Sequence, residues 1–349
     1  MSAYIYRHLR NVRIKAESSY GAAATTAAAN FVEVVRDSAG IKHTPTMQGL
    51  DTATHRRAGQ KQILVARTTD VAFTSRVRAH TIPAVDDNAR PANSDALFKA
   101  SGALLTSAFG ASPRTLTYAW ADYPEAMESV TVEEELVQGA GTNAYKKVLD
   151  GVRGSLKISA AKGAEVVLEF AGKGQTYTAS DKGSAANDDP TPSASVLQFY
   201  GATVTLEELD GSPTYSGPVE AFEIDTGMNV TEVATGTTTG YIDEVLLQPM
   251  DAMTSSITIA AKLIATFNAD KLLNADDSTM HCKISLVDLT DSNNTLELDW
   301  YASIVSVEES SLVGGQMGYK LNLAHMWYHA ATPGVTPATS LTATFKTVP

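Results

Sequence analysis

The chain has 349 residues, of which 44% are hydrophobic and 19% are charged. This composition supports one large or two ordinary domains with real cores, and it excludes a disordered protein. The single cysteine, Cys282, excludes an intrachain disulfide and a zinc cluster built on thiolates. We expect a soluble, unsecreted protein, because no apolar run approaches the ~18 residues of a membrane helix and charges interrupt the first ten residues, where a signal peptide is apolar.

The charge is strongly negative and unevenly distributed. The 27 basic and 39 acidic residues give a net charge of -12, yet residues 1–100 carry 14 basic against 8 acidic residues. Such an acidic excess argues against a protein that grips nucleic acid, but not against one that must avoid gripping it. Low charge with abundant Ala, Gly, Ser and Thr also fits a surface that is covered by copies of the same chain.

Hydrophobic residues recur mostly at every second position, which predicts a mainly β chain. Residues 152–170 are predicted to form a hairpin, because Ser155–Ala160 alternates, Ala161–Gly163 supplies a turn and Glu165–Phe170 alternates back. The same alternation predicts strands at Val71–Ile82, Leu116–Trp120, Val130–Val137, Ala202–Leu209, Ile257–Phe267, His281–Leu289, Leu296–Val307 and Tyr319–Trp327.

Two helices are expected, each between strands. Ser94 can cap a helix over residues 95–109, where Leu97, Phe98, Leu104, Leu105 and Ala108 fall on one face, and a shorter helix is expected over residues 269–275. The order strand, helix, strand, strand therefore occurs twice. This repetition predicts two tandem β-sandwich or barrel domains, each with a short flanking helix.

The predicted domain boundaries follow from composition. Residues 1–180 form the first domain, a Gly/Pro/Asp-rich linker spans 181–195, residues 196–330 form the second domain and 331–349 are a C-terminal extension. Two weakly patterned stretches, Ser38–Gln60 and Ala84–Asn93, are predicted to be mobile arms or interface loops outside the core.

No motif points convincingly to catalysis, a cofactor or a metal. The candidates are the pair His325 and His329, the pair His281 and Cys282, the glycine-rich Gly139–Thr142 and Gly151–Gly154, and the oxygen-rich Asp288–Asn294. His325 lies on a predicted strand and no third ligand is nearby, and the adjacent His281 and Cys282 point to opposite faces of a strand. The glycine-rich segments are predicted to be turns and the oxygen-rich segment a hairpin turn, because the phosphate-loop and calcium-loop patterns are incomplete.

Carboxylates are the most concentrated chemical feature. Glu133 and Glu135 share one side of a predicted strand, as do Glu297 and Asp299. They lack the histidine partner and the aromatic cleft that would favour acid–base catalysis. The simplest interpretation is a solvated sheet face, and a sharper one is that this face lines something.

The order of several short motifs resembles the tail tube (major tail) proteins of long-tailed bacteriophages of the siphophage type. The resemblance spans roughly residues 10 to 325. It is carried by Ile14–Gly21 with the Ala/Thr-rich segment after it, Asp95–Gly102, Leu149–Ile158, Phe170–Gly174 and Phe222–Val230.

This resemblance implies a structural virion protein, not an enzyme, without cofactors. Its rings would stack into the hollow tail, assembled in the bacterial cytoplasm, through which DNA is ejected without specific binding. Expected partners are other copies, the tape-measure, tail terminator and distal tail proteins. The duplication predicts rings of three chains with pseudo-sixfold symmetry, with six chains as the alternative.

Site predictions follow from this interpretation. Glu133, Glu135, Glu297 and Asp299 are predicted to line the channel, where they would repel DNA weakly everywhere. Cations before residue 100 are predicted to contact the next ring, with an ordinary mixed-charge surface as the alternative. These cations are Arg56, Arg57, Lys61, Arg67, Arg76 and Arg78.

Two other classes of protein remain open at this point. One is another phage structural protein, such as a capsid decoration or fibre protein. The other is a carbohydrate-binding or hydrolytic β-sandwich, which would need Trp120, Trp300 and Trp327 to line a groove. Tryptophans spread over three strands are more often core or interface residues.

Overall fold

The computed structural model confirms a mainly β chain. It describes residues 5–27, 30–35, 38, 40–49, 62–85, 89–91, 94–120, 127–138, 144–182, 195–200, 203–208, 214–215, 219–233, 243–249, 253–260, 279–311, 317–325 and 341–349. The strands are β1 (Ile5–Ala16), β2 (Phe31–Val32), β3 (Ile41–Gly49), β4 (Gln62–Arg76), β5 (Ala103–Ala108), β6 (Arg114–Trp120), β7 (Val130–Gln138), β8 (Ala144–Ala161), β9 (Val167–Lys173), β10 (Thr176–Lys182), β11 (Thr203–Glu208), β12 (Thr214–Tyr215), β13 (Val219–Asp225), β14 (Met228–Val233), β15 (Glu244–Pro249), β16 (Thr254–Ala260), β17 (Thr279–Val287), β18 (Asn294–Ser311), β19 (Met317–His325) and β20 (Leu341–Thr347), and the helix α1 spans Asp95–Ala100.

The predicted hairpin over residues 152–170 is confirmed. β8 and β9 pair antiparallel from Arg153↔Lys173 to Ser159↔Val167. Gly163 adopts a positive φ of 76° in the turn, a conformation that glycine adopts without a steric penalty. The turn predicted over Asp288–Asn294 is also confirmed, since it joins β17 to β18 and the Asp288 carboxylate accepts a hydrogen bond from the Thr290 amide at 2.9 Å.

The helix predicted over residues 95–109 is wrong in its length. α1 begins at Asp95, directly after Ser94, but it ends at Ala100, and Gly102 follows with φ of 91°. The residues beyond form β5, which pairs with β6. The long-range pairing outweighs the helical spacing of the leucines in 104–105, since β6 supplies hydrogen-bond partners for backbone groups of β5. The second predicted helix, residues 269–275, lies outside the described residues.

Two loop predictions are also wrong. Residues 41–49 were expected in an arm, but they form β3, which pairs with β4 in a long hairpin. Thr44, Pro45 and Thr46 are exposed, so this hairpin carries no apolar alternation to predict it. Gly151–Gly154 is no turn but lies within β8, where the strand changes partners.

The strand pairing follows one pattern in β1–β10 and repeats it in β11–β20. In the first half, β1 pairs with β2 and β7, β8 pairs with β7, β9 and β10, and β4 pairs with β3 and β9. In the second half, β11 pairs with β12 and β17, β18 pairs with β17, β19 and β20, and β16 pairs with β13 and β19. β8 corresponds in this pattern to β18, and β3 corresponds to β13.

The two halves join edge to edge. β13 pairs with the second part of β8, so that eight strands form one sheet in the order β3-β4-β9-β8-β13-β16-β19-β18, which we call the long sheet. β20 also joins the halves, since it lies between β18 and β6. Residues 341–347, which were predicted to lie in the C-terminal extension, form a strand whose alternate residues are buried. The two-domain division stays a prediction, and its linker lies mostly outside the described residues.

The core lies on one side of the long sheet. Leu156, Ile158, Phe170 and Ile224 are buried on this side, and one hydrophobic cluster contains residues of both halves. The alternate residues are polar or small and point to the opposite side, which we call the polar face. The sequence alternation therefore positions a polar surface across eight strands.

Candidate assembly interface and channel face

The polar face of the long sheet carries charges in opposed pairs. Lys157 on β8 lies 3.0 Å from Glu223 and 3.9 Å from Asp225, both on β13. Lys173 on β9 lies 3.8 Å from Asp70 on β4. The carboxylates are the more exposed partners, since the Glu223 side chain is 50% exposed and the Lys157 side chain 33%. A polyanion that approaches this face meets lysines already engaged by carboxylates.

The centre of the polar face is a shallow, open depression. Small side chains from β4, β8 and β9 line it together with the charged side chains of Lys157, Glu169 and Asp225. Among the described residues, no group of histidine, cysteine, aspartate and glutamate side chains could hold a metal ion. The depression therefore presents a polar and charged surface.

The predicted channel carboxylates Glu133 and Glu135 are buried on β7. They share one side of the strand as predicted, and Arg13 on β1 binds both, at 2.8 and 3.1 Å. Lys146 binds Glu133 at 2.5 Å, and Thr26 donates a hydrogen bond to it at 2.6 Å. Burial alone would raise the pKa of Glu133, but these hydrogen bonds and the Arg13 charge outweigh it and hold the pKa below its ordinary value.

The second predicted pair lies on the first part of β18 and is also ion-paired within the chain. Glu297 lies between Lys283 at 2.9 Å and Lys346 at 2.8 Å. Asp299 contacts the His281 ring at 2.8 Å. All four carboxylates thus lie on β7 or on the part of β18 outside the long sheet's β18–β19 pairing, and a channel position for them stays a prediction.

The cations predicted to contact the next ring have mixed positions. Arg56, Arg57 and Lys61 lie outside the described residues. Arg76 binds Glu33 at 2.8 Å and also binds Glu165, and Arg78 binds Glu33. Arg67 lies on β4 near His43, whose pKa is lowered first by burial and then by the Arg67 charge. Contact of these cations with another ring stays a prediction.

A partly buried polar centre, missed by the sequence analysis, lies at the point where β8 changes partners. The Glu17 carboxylate accepts hydrogen bonds from the amides of Gly21 and Gly151 and from the hydroxyls of Ser129 and Thr131, at 2.5 to 2.9 Å. Gly151 has a φ of 66°. The sequence signal was present, because Glu17 and Gly151 each lie within a motif that carried the family resemblance.

Arg153 extends this centre to the second half of the chain. Its guanidinium stacks 4.4 Å from the Tyr20 ring and donates to the Val245 carbonyl at 2.7 Å. It also contacts Glu244 at 3.2 Å. Burial raises the pKa of Tyr20 to about 12, so this phenol stays neutral. The centre therefore anchors the β14–β15 hairpin of the second half on the first half.

The residues considered for other chemistry are built into strands. Trp120 and Trp300 are buried, and each indole donates a hydrogen bond to a serine hydroxyl at 3.1 Å, so neither lines a groove. Cys282 is buried on β17, where burial raises the pKa of its thiol. His325 on β19 stacks on Trp300 of the neighbouring β18. Trp327 and His329 lie outside the described residues.

Comparison with known proteins agrees with this architecture. In the described part of the chain, no helix combines the length and the apolarity that a membrane crossing demands. No curated protein matches the sequence. A family model described as phage tail tube protein matches residues 8–346, nearly the whole chain. The chain therefore belongs to the phage tail tube proteins, the structural proteins of the virion tail.

Proposed function

We propose that copies of this chain polymerise into stacked rings, which form the hollow tube through which phage DNA leaves the virion. The observation that carries this proposal is the long sheet, whose two halves already join edge to edge through β8 and β13. Strand edges demand pairing, and a closed ring of sheets satisfies every edge. The role is structural rather than enzymatic.

We further propose three chains per ring, with the two halves of each chain as pseudo-equivalent units. The long sheet contributes eight strands per chain. With strands about 4.8 Å apart and tilted by about 35–45°, three chains give a barrel about 45–50 Å across and six give one about 90–100 Å across. The narrower barrel would guide a DNA duplex more closely than the wider one.

The polar face of the long sheet is our proposed channel wall. Around Lys157 it is open in the described chain, whereas the β14–β15 hairpin reaches it at Lys173, which lies 2.7 Å from Glu232, and the other face holds the core. Because Lys157 and Lys173 are engaged by carboxylates on this face, a phosphate must displace a carboxylate to bind them. DNA affinity, which depends on free cations, is therefore low, and DNA passes without being held.

The four predicted carboxylates and the predicted stacking cations are retained as secondary proposals. Glu133 and Glu135 could face a channel only if the segment that contains Thr26 moved away. Stacking through Arg67 fits a β3–β4 hairpin in which Thr44 and Thr46 are exposed. The tape-measure, tail terminator and distal tail proteins are the proposed partners at the channel and at the tube ends.

Electron microscopy of the purified chain tests the proposal. The chain is concentrated at low and at high salt, because salt screens the repulsion between copies with a net charge of -12. We expect rings or hollow tubes that increase with salt and that do not retain labelled duplex DNA in sedimentation. Particles that stay monomeric under all of these conditions would contradict the proposal.

A further inference from the structure

The second part of β18 is a strand edge with a partner on one side. Residues 302–311 pair with β19, whereas the pairing with β17 on the other side ends at Ser303. Val305, at a bulge in this part, is 62% exposed, and Glu308 and Glu309 are exposed too. In the described residues, nothing covers this side of the strand.

The corresponding edge of β8 is occupied. β8 and β18 are both 18 residues long, and β10 and β20 pair with their first seven residues in the same register. Where β7 leaves β8, β13 takes its place and pairs with residues 157–161. β3 is the strand of the first half that corresponds to β13, because β3 flanks β4 as β13 flanks β16.

At three positions, charges near the two edges correspond with inverted sign. On the β8 side, Lys157 lies opposite Glu169 and beside Asp225 of β13. On β19, the position that corresponds to Glu169 is occupied by Lys320, and Glu308 of β18 lies opposite it. Lys42 of β3 corresponds to Asp225, since Asp70 and Thr254, their respective partners, occupy equivalent places on β4 and β16.

We propose that the edge of β18 at Ser306–Ser310 pairs antiparallel with the edge of β3 at Ile41 in a second copy of this chain. The junction reproduces β8–β13, and Glu308 faces Lys42 of the other copy as Lys157 faces Asp225 within the chain. Opposite charges directly across two strands stabilise the pairing and fix its register. This inference rests on the proposed function and names the surfaces that close the ring.

The edge of β3 is capped in the single chain. The Ile41 amide donates to Glu134 and its carbonyl accepts from Lys147, both at 3.1 Å. Assembly exchanges these two hydrogen bonds for two from β18, and Glu134 and Lys147 keep each other at 3.2 Å. Such a cap blunts an edge strand against premature pairing.

A charge exchange tests the proposed pairing. Glu308→Lys and Lys42→Glu each place like charges across the junction, so we expect each to reduce the yield of sedimenting tubes at least about tenfold. The double variant restores the opposite pair, and its yield is expected to return to near that of the wild type. Glu128→Lys, a change at an exposed carboxylate of the loop before β7, is the control and should leave the yield unchanged. Failure of the double variant to recover would contradict the pairing.

Cysteine cross-linking provides an independent test. Glu308→Cys combined with Lys42→Cys places two thiols across neighbouring strands, at a separation that suits a disulfide, while Cys282 is buried. Oxidised tubes should give covalent ladders that stop at the number of chains per ring, and the single-cysteine variants should give none. Tubes that form without cross-links would overturn this pairing and leave the proposed function standing. Wild-type chains that never form tubes would overturn both.

Discussion

β8 and β18 occupy equivalent positions in the two halves of the chain, and they differ in the strands that pair with their second part. β8 is paired on both sides, with β9 and β13, whereas β18 is paired with β19 only in the described chain. Their first parts are alike, each lying between two strands. Because the pattern of pairing is shared, the occupied edge shows what the open edge lacks. The occupied edge of β8 is therefore the model on which the proposed pairing between copies is based.

The largest effect on this comparison is expected at Gly154, next to the point where β8 changes partners. A side chain at Gly154 would place its Cβ 2.5 Å from the Phe170 ring and 2.6 Å from the Ala171 carbonyl oxygen. Gly154→Val should therefore lower the free energy of unfolding by about 4 kcal/mol or prevent folding. Gly110→Ala, where nothing lies within 4 Å, is the matched control and should unfold like the wild type. Equal thermal unfolding of both variants would contradict the account.

The next largest effect is expected at the polar centre around Glu17, beside the same point of β8. Glu17→Ala leaves the Gly151 amide and the hydroxyls of Ser129 and Thr131 without their acceptor. We expect a loss of about 3 kcal/mol in the free energy of unfolding, measured by urea denaturation. Glu128→Ala removes only an exposed carboxylate, 3.4 Å from Lys99, and should cost less than about 1 kcal/mol. A small change in the free energy of unfolding of Glu17→Ala would show that the stability of this region does not depend on the Glu17 carboxylate.

A pH-dependent effect sharpens the comparison beside Gly151. Burial raises the pKa of Asp150 to about 6, above the ordinary 3.8, so the folded state binds the extra proton between these values. This group therefore lowers the stability of the wild type as pH rises from about 4 to about 6. In Asp150→Asn that contribution is absent, and the variant should gain relative stability over this window. A difference that is constant from pH 4 to pH 7 would contradict the assignment.

The smallest effect concerns the first part of β18. Glu297 contacts both Lys283 and Lys346, so one lysine can replace part of what the other contributes. Lys283→Met or Lys346→Met alone should cost less than about 1 kcal/mol. The double variant leaves the carboxylate, whose side chain is 15% exposed, without either cation, and it should cost more than the sum. Additive costs in the double-mutant cycle would show that the two pairs are independent.

Local patterns in the sequence predicted the strands well and the long-range arrangement poorly. The β8–β9 hairpin follows from Ser155–Ala160 and from the turn at Gly163, which are neighbours in sequence. The length of α1 does not follow from the local sequence, because the residues of β5, which have helical spacing, pair with β6. The sequence of this segment fits both a helix and a strand, and pairing with β6 selects the strand.

The predicted site depended even more on distant residues. The alternation places Glu133 and Glu135 on one side of β7, and this is confirmed. Their burial depends on Arg13 and on the segment that contains Thr26, more than 100 residues away along the chain. In the sequence, nothing distinguishes Glu308 from its neighbour Glu309. Its correspondence with Lys157 requires the pairing of both strands, which no local pattern contains.

Electron cryomicroscopy of assembled tubes tests the central claim most directly. The account predicts a channel wall of eight strands from each of three chains, with β18 of one copy beside β3 of the next and with the polar face toward the channel. A reconstruction in which the β18 edge faces solvent, or in which another sheet lines the channel, would contradict it.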